Sequence, residues 1–308
     1  MTETSLICTQ GSTQERIEHC RRVANTYPRR MANNGRSALL PWKTKSSRQR
    51  WLRSSRPIYE AEFLGFSYGF RPGRGQHDAL DALAYGINAR KINWILDADI
   101  SRFFDTLSRE WLIRFVEHRI GDRRIIRLIQ KWLKAGVLED GRLIETTEGT
   151  PQGSVASPLL ANVYLHYVYD LWVEQWRTRH AKGDMIVVRY ADDTIVGFQH
   201  RQDAERFLID LKERLAKFAL SLHLEKTRLL EFGRYAAERR AERGQGKPET
   251  FDFLGLTHYC TTRKDGTDFQ LGRKTQRKRM KAKLRETKET LRRLSIRRAT
   301  SRDGGSGP

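Results

Sequence analysis

Two adjacent aspartates interrupt a strongly apolar stretch of the chain, in the segment MIVVRYADDTIVGF at 185–198. Asp192 and Asp193 stand between two runs rich in β-branched residues, which predicts that they lie at the tip of a buried β-hairpin. A turn accommodates one aspartate readily, because the side chain bonds the local backbone. Two neighbouring carboxylates repel each other, so they require compensation by an arginine, by water or by a metal ion.

A second group of carboxylates ends another apolar segment, in DADISRFFD at 97–105. Asp97 and Asp99 are two residues apart on a predicted strand at 92–100, so they point to the same face of a sheet. If this strand lies beside the hairpin, one of them meets Asp192 across the sheet. Such oxygen ligands bind hard divalent cations, and two cations clamp the attacking and leaving oxygens in phosphoryl transfer. The alternative is that each aspartate only caps a turn, and the pattern alone leaves both interpretations open.

The overall charge indicates the kind of partner. The 308 residues contain 58 Lys and Arg against 37 Asp and Glu, a net charge of +21. This surplus favours binding to an anionic polymer or surface. A membrane is the weaker choice, because no apolar run is long enough to span one and no signal-peptide core follows Met1. The three cysteines, Cys8, Cys20 and Cys260, form neither a disulfide framework nor a zinc spacing, so we expect a reducing, cytoplasmic location.

The elements that must position these carboxylates alternate irregularly between helices and strands. Apolar residues at helical spacing predict a helix through Leu80, Leu83 and Ile87, and further helices at 108–119, at 122–135, from Ser157 and at 203–218. Asp140-Gly141 between apolar pairs predicts a second hairpin, and 251–259 predicts a strand pair or turn. Antiparallel hairpins beside helices indicate the α+β class, with an antiparallel sheet and helices on one face.

Both ends of the chain are basic and lack a clear period. Residues 1–56, which include PWKTKSSRQRWLRSSRP, are predicted to form a flexible arm or a nucleic-acid contact, and we expect order to begin near Pro57. From Gly272 to Thr300 there are 13 Lys and Arg and two Glu, a net charge of +11. Such a tail is typical of a solvated helix or of disorder.

The order of the motifs resembles that of a reverse transcriptase palm. The segments that carry the resemblance are, in chain order, SYGFRPGR, DADISRFFD, TPQGSVASPLLAN, YADD and FLGL. The first and the last of them are typical of the group II intron-encoded type. The similarity runs from about Pro57 to Tyr259. Each motif alone is moderately specific, but five in the family's order are strongly indicative.

The resemblance implies an RNA-directed DNA polymerase that uses two Mg²⁺ ions and dNTPs. Its partners would be an RNA template and a DNA primer, with intron RNA expected. The catalytic residues and metal ligands would be Asp99, Asp192 and Asp193, with Asp97 as a neighbour. Lys226 would protonate the leaving pyrophosphate, and an ordinary surface lysine is the alternative.

The resemblance also implies residues that contact the substrates. Phe104, five residues after Asp99, would exclude a ribose 2′-hydroxyl, because its ring leaves no room for an extra oxygen under the sugar. Gln152 and Gly153 would line the incoming nucleotide and the template base. Template and primer would be held by residues of two further motifs, namely Arg71, Arg74, Phe253, Leu254 and Gly255.

The domains expected from the resemblance are a basic arm at 1–56, partial fingers at 57–91, a palm at 92–260 and the start of a thumb or maturase segment at 261–308. The basic fingers strands and most of the thumb have no recognisable counterpart in the sequence, so we expect weak polymerisation. Two alternatives stay open. One is a non-catalytic, RNA-binding, maturase-like splicing factor or degenerate remnant. The other is a metal-dependent nuclease, which would need neither Phe104 nor the PQG turn.

Overall fold

The computed structural model describes residues 42–134, 137–139, 142–144, 157–263 and 268–300. Its helices are α1 (Trp42–Glu60), α2 (Gln76–Ala89), α3 (Phe103–Thr106), α4 (Arg109–Glu117), α5 (Arg123–Lys134), α6 (Ser157–Leu165), α7 (Leu171–Arg179), α8 (Arg201–Ala216), α9 (Ala236–Glu242) and α10 (Arg277–Thr300). A π-helical segment, His166–Asp170, joins α6 to α7. Its strands are β1 (Trp94–Asp99), β2 (Val137–Glu139), β3 (Arg142–Ile144), β4 (Met185–Tyr190), β5 (Asp193–Phe198), β6 (Arg228–Glu231), β7 (Phe251–Phe253), β8 (Leu256–Thr262) and β9 (Phe269–Thr275).

The central sheet is antiparallel and has the strand order β4-β5-β1-β6. Strands β4 and β5 form the predicted hairpin, in which Tyr190 pairs with Asp193. Strand β1 lies between β5 and β6 and pairs Asp99 with Asp193. The predicted strand at 92–100 therefore lies beside the hairpin, which is the condition under which its aspartates meet those of the turn.

The two faces of this sheet belong to different hydrophobic clusters. Leu96, Val196 and Phe198 face the larger cluster, which is built mainly from helices. Ile95 and Ile195, one residue away on the same strands, face the smaller cluster, formed with α2 and the sheet β7-β8-β9. The alternation follows from the two-residue period of a strand. The α+β class with an antiparallel sheet is confirmed, although α2 and the second sheet cover the face opposite most of the helices.

The larger cluster is dense in aromatic side chains. Phe207 of α8 is fully buried, with ring centroids 5.0 Å from Trp176 and 5.3 Å from Phe198. Truncation of such a ring to alanine typically costs about 3–5 kcal/mol. These rings pack at the Phe198 end of β5, the end of the strand away from Asp193.

Most of the predicted elements are present. The helices expected at 108–119, 122–135 and 203–218 correspond to α4, α5 and α8, and the second hairpin corresponds to β2 and β3. Asp122 starts α5 as expected, because its Oδ1 accepts a hydrogen bond of 2.8 Å from the Arg124 backbone N–H. The segment at 251–259 is a strand pair, β7 with β8.

The N-terminal boundary differs from the expectation. Helix α1 already begins at Trp42 and continues through Pro57, so order does not begin at the proline. Trp51, Ser55 and Tyr59 are buried at four-residue spacing, and the Trp51 ring lies 6.0 Å from that of Trp132. The proline masks this period in the sequence, because it lacks the N–H that an interior helical position requires.

The C-terminal region also contains an element that the sequence did not reveal. Strand β9 pairs along its whole length with β8, where only a basic tail was expected. Helix α10 follows, and its side chains from Arg277 to Arg292 are exposed, as in the solvated-helix alternative. None of the helices in the described parts of the chain is both long and apolar enough to span a membrane. Cys260 is a free, half-buried thiol, while Cys8 and Cys20 lie outside the described residues.

Candidate active site

The hairpin between β4 and β5 turns through only two residues, Ala191 and Asp192. Ala191 has a φ of +57°, a left-handed conformation that two-residue hairpins usually assign to glycine, asparagine or aspartate. A residue with a β-carbon keeps this conformation when the surrounding structure holds it. Gly69 supplies one such contact, since a β-carbon at that position would collide with the backbone N of Ala191. The turn therefore presents Asp192 and Asp193 from a tightly held backbone.

The three aspartates of the predicted triad lie together at one end of the central sheet. Asp99 ends β1 and is the direct cross-strand partner of Asp193, which begins β5. Their side chains share one face of the sheet with Asp97, because partners opposite each other in an antiparallel pair point the same way. Asp192 directly precedes Asp193 in the turn.

The environment of this cluster disfavours three uncompensated negative charges. Desolvation, together with the carboxylates of Asp192 and Asp99, raises the pKa of Asp193 to about 6, although the outer side of Asp193 is exposed. Burial and the nearby Asp99 also raise the pKa of Asp192. Both carboxyl groups are therefore poised to gain from a cation.

The donor set of the cluster fits Mg²⁺. Asp99, Asp192 and Asp193 offer only carboxylate oxygens, which hard cations prefer to sulfur or imidazole. Within the part of the chain that the structure describes, no group of three or more His, Cys, Asp or Glu side chains is arranged to hold a metal ion. Magnesium sites commonly take one or two carboxylates and complete the shell with water and substrate phosphates, so the pairing of Asp99 with Asp193 is compatible with such a site.

Asp97 is compensated differently from its neighbours. It pairs in register with Arg228 of β6, and the guanidinium Nη2 lies 3.8 Å from Asp97 Oδ2. Burial raises the pKa of Asp97 to about 7, while Arg228 opposes this shift. Asp97 lies two residues further from the hairpin turn than Asp99 and faces Arg228, so it borders the cluster, as the resemblance implies.

Lys226 is brought to the cluster by the segment between α8 and β6. This segment is bound to the end of β1 by a bridge between Ile100 and Leu222 and by a 2.8 Å hydrogen bond from the His223 N–H to the Asp99 carbonyl. Lys226 Nζ lies 2.7 Å from Asp99 Oδ2, and the lysine side chain is 63% exposed. Hydrogen bonding to Asp99 raises the pKa of Lys226, so the group is an ammonium at neutral pH.

Phe104 lies half-buried five residues beyond Asp99. The chain turns sharply at Arg102, which has a φ of +44°, and then enters the short helix α3. The ring of Phe103 points into the larger cluster, and the Phe104 ring packs edge-on against it at 5.2 Å. Phe104 therefore has one side held by the core and another open to solvent.

The predicted primer-binding residues form the turn between β7 and β8. Leu254 and Gly255 have φ values of +50° and +85°, the pattern of a type I′ turn, while Phe253 is buried beneath them. A β-carbon at Gly255 would collide with the guanidinium of Arg279, which contributes a positive charge near Asp193. The turn and the start of α10 thus lie close to the carboxylates.

Arg71 does not have the exposed position that a template contact would require. It is 5% exposed, and its guanidinium donates 2.8 Å hydrogen bonds to the carbonyls of Leu64 and Ser67 and a 2.9 Å bond to Glu60. Its donors thus stabilise the loop of SYGFRPGR from within. In this position Arg71 stabilises its own loop, and its contact with template stays a prediction.

The remaining predicted residues divide into two groups. Arg74 is half-buried, donates to the Gly65 carbonyl and stacks over the Tyr68 ring at 5.3 Å, which leaves an edge of the guanidinium accessible. Gln152 and Gly153 lie outside the described residues, so their roles stay predictions.

Comparison with known families bears on these assignments. A family model described as reverse transcriptase (RNA-dependent DNA polymerase) matches residues 50–258, which is more than half of the chain. The chain belongs to the reverse transcriptase family. Its carboxylate cluster therefore lies in a reverse transcriptase domain, and the resemblance inferred from the motifs is confirmed.

Several similar proteins are named as intron proteins. The group II intron-encoded protein LtrA of Lactococcus lactis subsp. cremoris is 32% identical over 190 residues, which cover 58% of this chain and 31% of LtrA. An uncharacterized 91 kDa protein in the cob intron of Schizosaccharomyces pombe is 41% identical over 121 residues, 39% of this chain and 15% of that protein. The chain thus spans less than a third of the length of either relative.

A solved structure supports the fold of the reverse transcriptase domain. Apo telomerase from Candida tropicalis, truncated from its C-terminal domain, superimposes with a TM-score of 0.53 at 16% identity, over 76% of this chain and 45% of telomerase. At this identity the likeness concerns the fold alone. It agrees with a polymerase palm built on the central sheet.

Sequence reasoning missed the polar residues that support the reverse transcriptase hairpin from below. Arg189, Asn162 and Asp170 are at most 1% exposed, and Arg189 donates hydrogen bonds to both of the others. Each interrupts an apolar run, in IVVRYADD, LLANVY and YVYDLW. A charged or amide residue inside such a run is the signal that would have indicated a buried polar network.

Proposed function

We propose that the chain is an RNA-directed DNA polymerase of the group II intron-encoded class, which adds dNTPs to the 3′ end of a DNA primer on an RNA template. The observation that carries the proposal is the direct pairing of Asp99 with Asp193, with Asp192 in the adjoining turn. Carboxylates collected at one end of an antiparallel sheet provide hard oxygen ligands for phosphoryl transfer. Membership of the reverse transcriptase family and the intron-encoded relatives support the assignment.

Asp99, Asp192 and Asp193 would hold two Mg²⁺ ions. Bound there, the ions stabilise charge on the attacking and leaving oxygens. The protein contributes the arrangement of the carboxylates: strand pairing keeps Asp99 opposite Asp193, and the rigid turn adds Asp192. The raised pKa values of Asp192 and Asp193 are consistent with a site that gains from a cation.

Lys226 would act as the proton donor to the leaving pyrophosphate. Its ammonium is exposed on one side and next to Asp99 on the other, so an incoming phosphate group can reach it. The raised pKa of Lys226 keeps a proton available at neutral pH. A positioned general acid typically contributes about 10²–10⁴-fold in rate.

The substrates would be held on either side of the carboxylates. Phe104 would select the sugar, since a half-buried ring fixed against Phe103 cannot yield to a 2′-hydroxyl. The type I′ turn at Leu254-Gly255 would carry the primer end, and its proximity to Arg279 supplies a positive charge for the backbone phosphates. Gln152 and Gly153 remain proposed nucleotide contacts.

The RNA partner would be bound mainly through charge. Helix α10 has a sequence with 11 Lys and Arg and two Glu, and its side chains are exposed as far as Arg292. Backbone phosphates attract such a surface without regard to sequence. Intron RNA is the partner that the intron-encoded relatives favour.

A second function needs only part of this machinery. A maturase-like RNA-binding factor would use the basic surface of α10 and the reverse transcriptase fold without catalysis by Asp99, Asp192 and Asp193. The exposed, predominantly basic surface of α10 favours this alternative. It predicts RNA binding that is unchanged when the carboxylates are removed.

Primer extension set against an RNA gel shift distinguishes the two functions. The wild-type protein and Asp192→Asn are assayed with an RNA template, a DNA primer, dNTPs and Mg²⁺. We expect extension by the wild type, its loss in Asp192→Asn, and equal RNA affinity for both proteins. RNA binding by a wild type that extends no primer at any Mg²⁺ concentration would favour the maturase-like factor.

A further inference from the structure

Arg189 occupies an unusual place for a charged residue. It is the penultimate residue of β4, directly before Tyr190 and the turn at Ala191-Asp192, and it is completely buried. The alternation of β4 directs it towards the larger cluster, on the sheet face opposite Asp99 and Asp193. It therefore lies beneath the carboxylates without touching them.

All five N–H donors of the guanidinium are used. Nε and Nη2 form a bidentate pair with the carboxylate of Asp170, both at 2.6 Å. Nη1 donates to the Ala191 carbonyl at 2.9 Å and to Asn162 Oδ1 at 3.2 Å. Nη2 also donates to Ser67 Oγ at 2.6 Å. The side chain is thus fixed from four directions.

One of these bonds reaches the catalytic turn itself. The Ala191 carbonyl belongs to the residue whose φ is +57°, and its peptide bond leads directly to Asp192. Asn162 strengthens the same connection, since its Nδ2 donates a 2.7 Å hydrogen bond to the carbonyl of Gly69, which packs against Ala191. The left-handed residue is therefore held from below by Arg189 and from the side by Gly69.

The π-helical segment brings Asp170 into this network. Residues eight positions apart on a regular α-helix are rotated by about 80° relative to each other. One extra residue in the π turn reduces that rotation to about 20°, so Asn162 and Asp170 face Arg189 together. Insertions of this kind recur at functional sites.

Stability alone does not require this arrangement. A buried ion pair contributes little on balance, because desolvation offsets most of the attraction, and apolar residues of similar size are often as stable. What an apolar replacement cannot supply is the directed hydrogen bond to Ala191. The geometry points to a role in positioning.

We propose that Arg189 is a positioning residue for polymerisation, which, anchored by Asp170 and Asn162, holds Ala191 in the left-handed conformation and so sets the place of Asp192 and Asp193. The proposal rests on the polymerase function proposed above. It assigns the buried polar network a task that neither family membership nor the carboxylates themselves account for.

The decisive variant is the double substitution Arg189→Met with Asp170→Leu, because it removes both charges of the buried pair and leaves neither of them uncompensated. Arg189→Lys keeps the charge but cannot make the fork with Asp170 and reach Ala191 as well. Arg214→Met is the matched control, since Arg214 also donates to the π-helical segment, through the carbonyls of Tyr167 and Val168, but has no bond to the hairpin.

Two measurements are made on each protein after its thermal melting has been recorded. The first is hydrogen exchange of the hairpin at 185–198, with α8 as internal reference. The second is the kinetics of single-nucleotide addition. In the double variant and in Arg189→Lys we expect faster hydrogen exchange at the hairpin alone. We also expect kcat to fall by about 100-fold, because a misplacement of the reacting groups by about 1 Å can lower the rate by that factor. KM should change by less than about threefold.

The outcomes separate this proposal from the polymerase function. A folded double variant with wild-type hairpin exchange and wild-type kcat would overturn the positioning role. Equal losses in Arg214→Met would also overturn it, since general loosening of the π-helical segment would then suffice. If the wild type adds no nucleotide, the polymerase function fails, whereas the hairpin exchange still decides whether Arg189 holds the turn.

Discussion

The ammonium of Lys226 lies 2.7 Å from the carboxylate of Asp99. The two residues are far apart in the sequence and are brought together by the bridge that attaches the segment before β6 to the end of β1. Because the lysine is 63% exposed, solvent screens the pair and it contributes little to stability. An effect of substitution on catalysis can therefore be measured without a large effect on folding.

Lys226→Ala should slow nucleotide addition by about 10²–10⁴-fold if the ammonium donates a proton to the leaving group. RNA affinity and melting temperature should stay close to those of the wild type. Single-turnover extension under saturating dNTP gives the rate, and Lys212→Ala, at an exposed position of α8, is the control. A loss of less than about threefold in Lys226→Ala would identify it as an ordinary surface lysine.

Asp97 and Asp99 offer a comparison within one strand and one face. Asp99 meets Asp193 across the ladder, whereas Asp97 is opposite Arg228. We expect Asp99→Asn to abolish detectable extension and Asp97→Asn to reduce it by less than about tenfold, since only the former removes a proposed metal ligand. Titration with Mn²⁺, followed by the paramagnetic signal of the free ion, should show weaker binding in Asp99→Asn alone. Equal effects of the two substitutions would contradict the assignment.

Phe104→Val should admit ribonucleotides. The ring that is fixed against Phe103 would be replaced by a side chain too short to reach beneath the sugar. The measurement is the ratio of kcat/KM for dNTP and for the matching NTP, which we expect to fall by at least about tenfold, or 1.4 kcal/mol of discrimination. Phe207→Leu is the control, because its ring is buried in the larger cluster against Trp176 and Phe198, and its loss should lower stability without changing the ratio. An unchanged ratio in Phe104→Val would limit Phe104 to packing.

RNA binding should weaken steeply with salt. Six to ten phosphate contacts lose about 10³–10⁵ in affinity between 50 and 200 mM salt. Replacement of Lys278, Lys281 and Lys288 on α10 by Gln should lower the slope of log K against log salt by about two, since each contact to single-stranded RNA contributes about 0.7. The same replacement of Lys212 and Lys217, on and after α8, should leave the slope unchanged. An unaltered slope in the α10 variant would show that α10 is merely solvated.

Local patterns predicted the strands and turns of the palm well, because each strand is a short apolar run and each turn has characteristic residues. The short apolar run that ends at Asp97 and Asp99, and the adjacent aspartates between two apolar runs, were sufficient to predict β1 and the β4–β5 hairpin, whereas their pairing side by side is seen only in the structure. Lys226 required the family resemblance, since its approach to Asp99 depends on pairing between segments more than 120 residues apart.

Features that depend on distant partners could not be predicted locally. From the sequence alone, Arg71 is expected to be exposed. Its burial is explained only by the hydrogen bonds that its guanidinium donates to carbonyls of its own folded loop. Arg189 depends on Asp170 and on a π-helical insertion that no local rule indicates. Strand β6 has four residues, too few to display a period, and Pro57 interrupts the pattern of a helix that the tertiary packing of Trp51 stabilises.

His258 gives the fold a dependence on acid. It is completely buried and stacked on Phe251, with ring centroids 4.8 Å apart, and burial lowers its pKa from 6.5 to about 4, with a further contribution from Arg273. Above pH 6.5 the imidazole is neutral in both the folded and the unfolded chain, so this contribution to stability is complete. As the pH falls towards 4, the imidazole is protonated in the unfolded chain but stays neutral in the folded chain, so the free energy of unfolding decreases.

At pH 5 this histidine alone should lower the free energy of unfolding by about 2 kcal/mol relative to pH 7.5. In His258→Phe, which keeps a planar ring against Phe251 but cannot be protonated, the loss between the two pH values should be smaller by that amount. Urea unfolding at both pH values measures the difference. His77→Phe, at an exposed position of α2, should behave as the wild type. If His258→Phe loses as much stability as the wild type, the acid sensitivity arises elsewhere, and His258 is protonated in the folded chain at little cost.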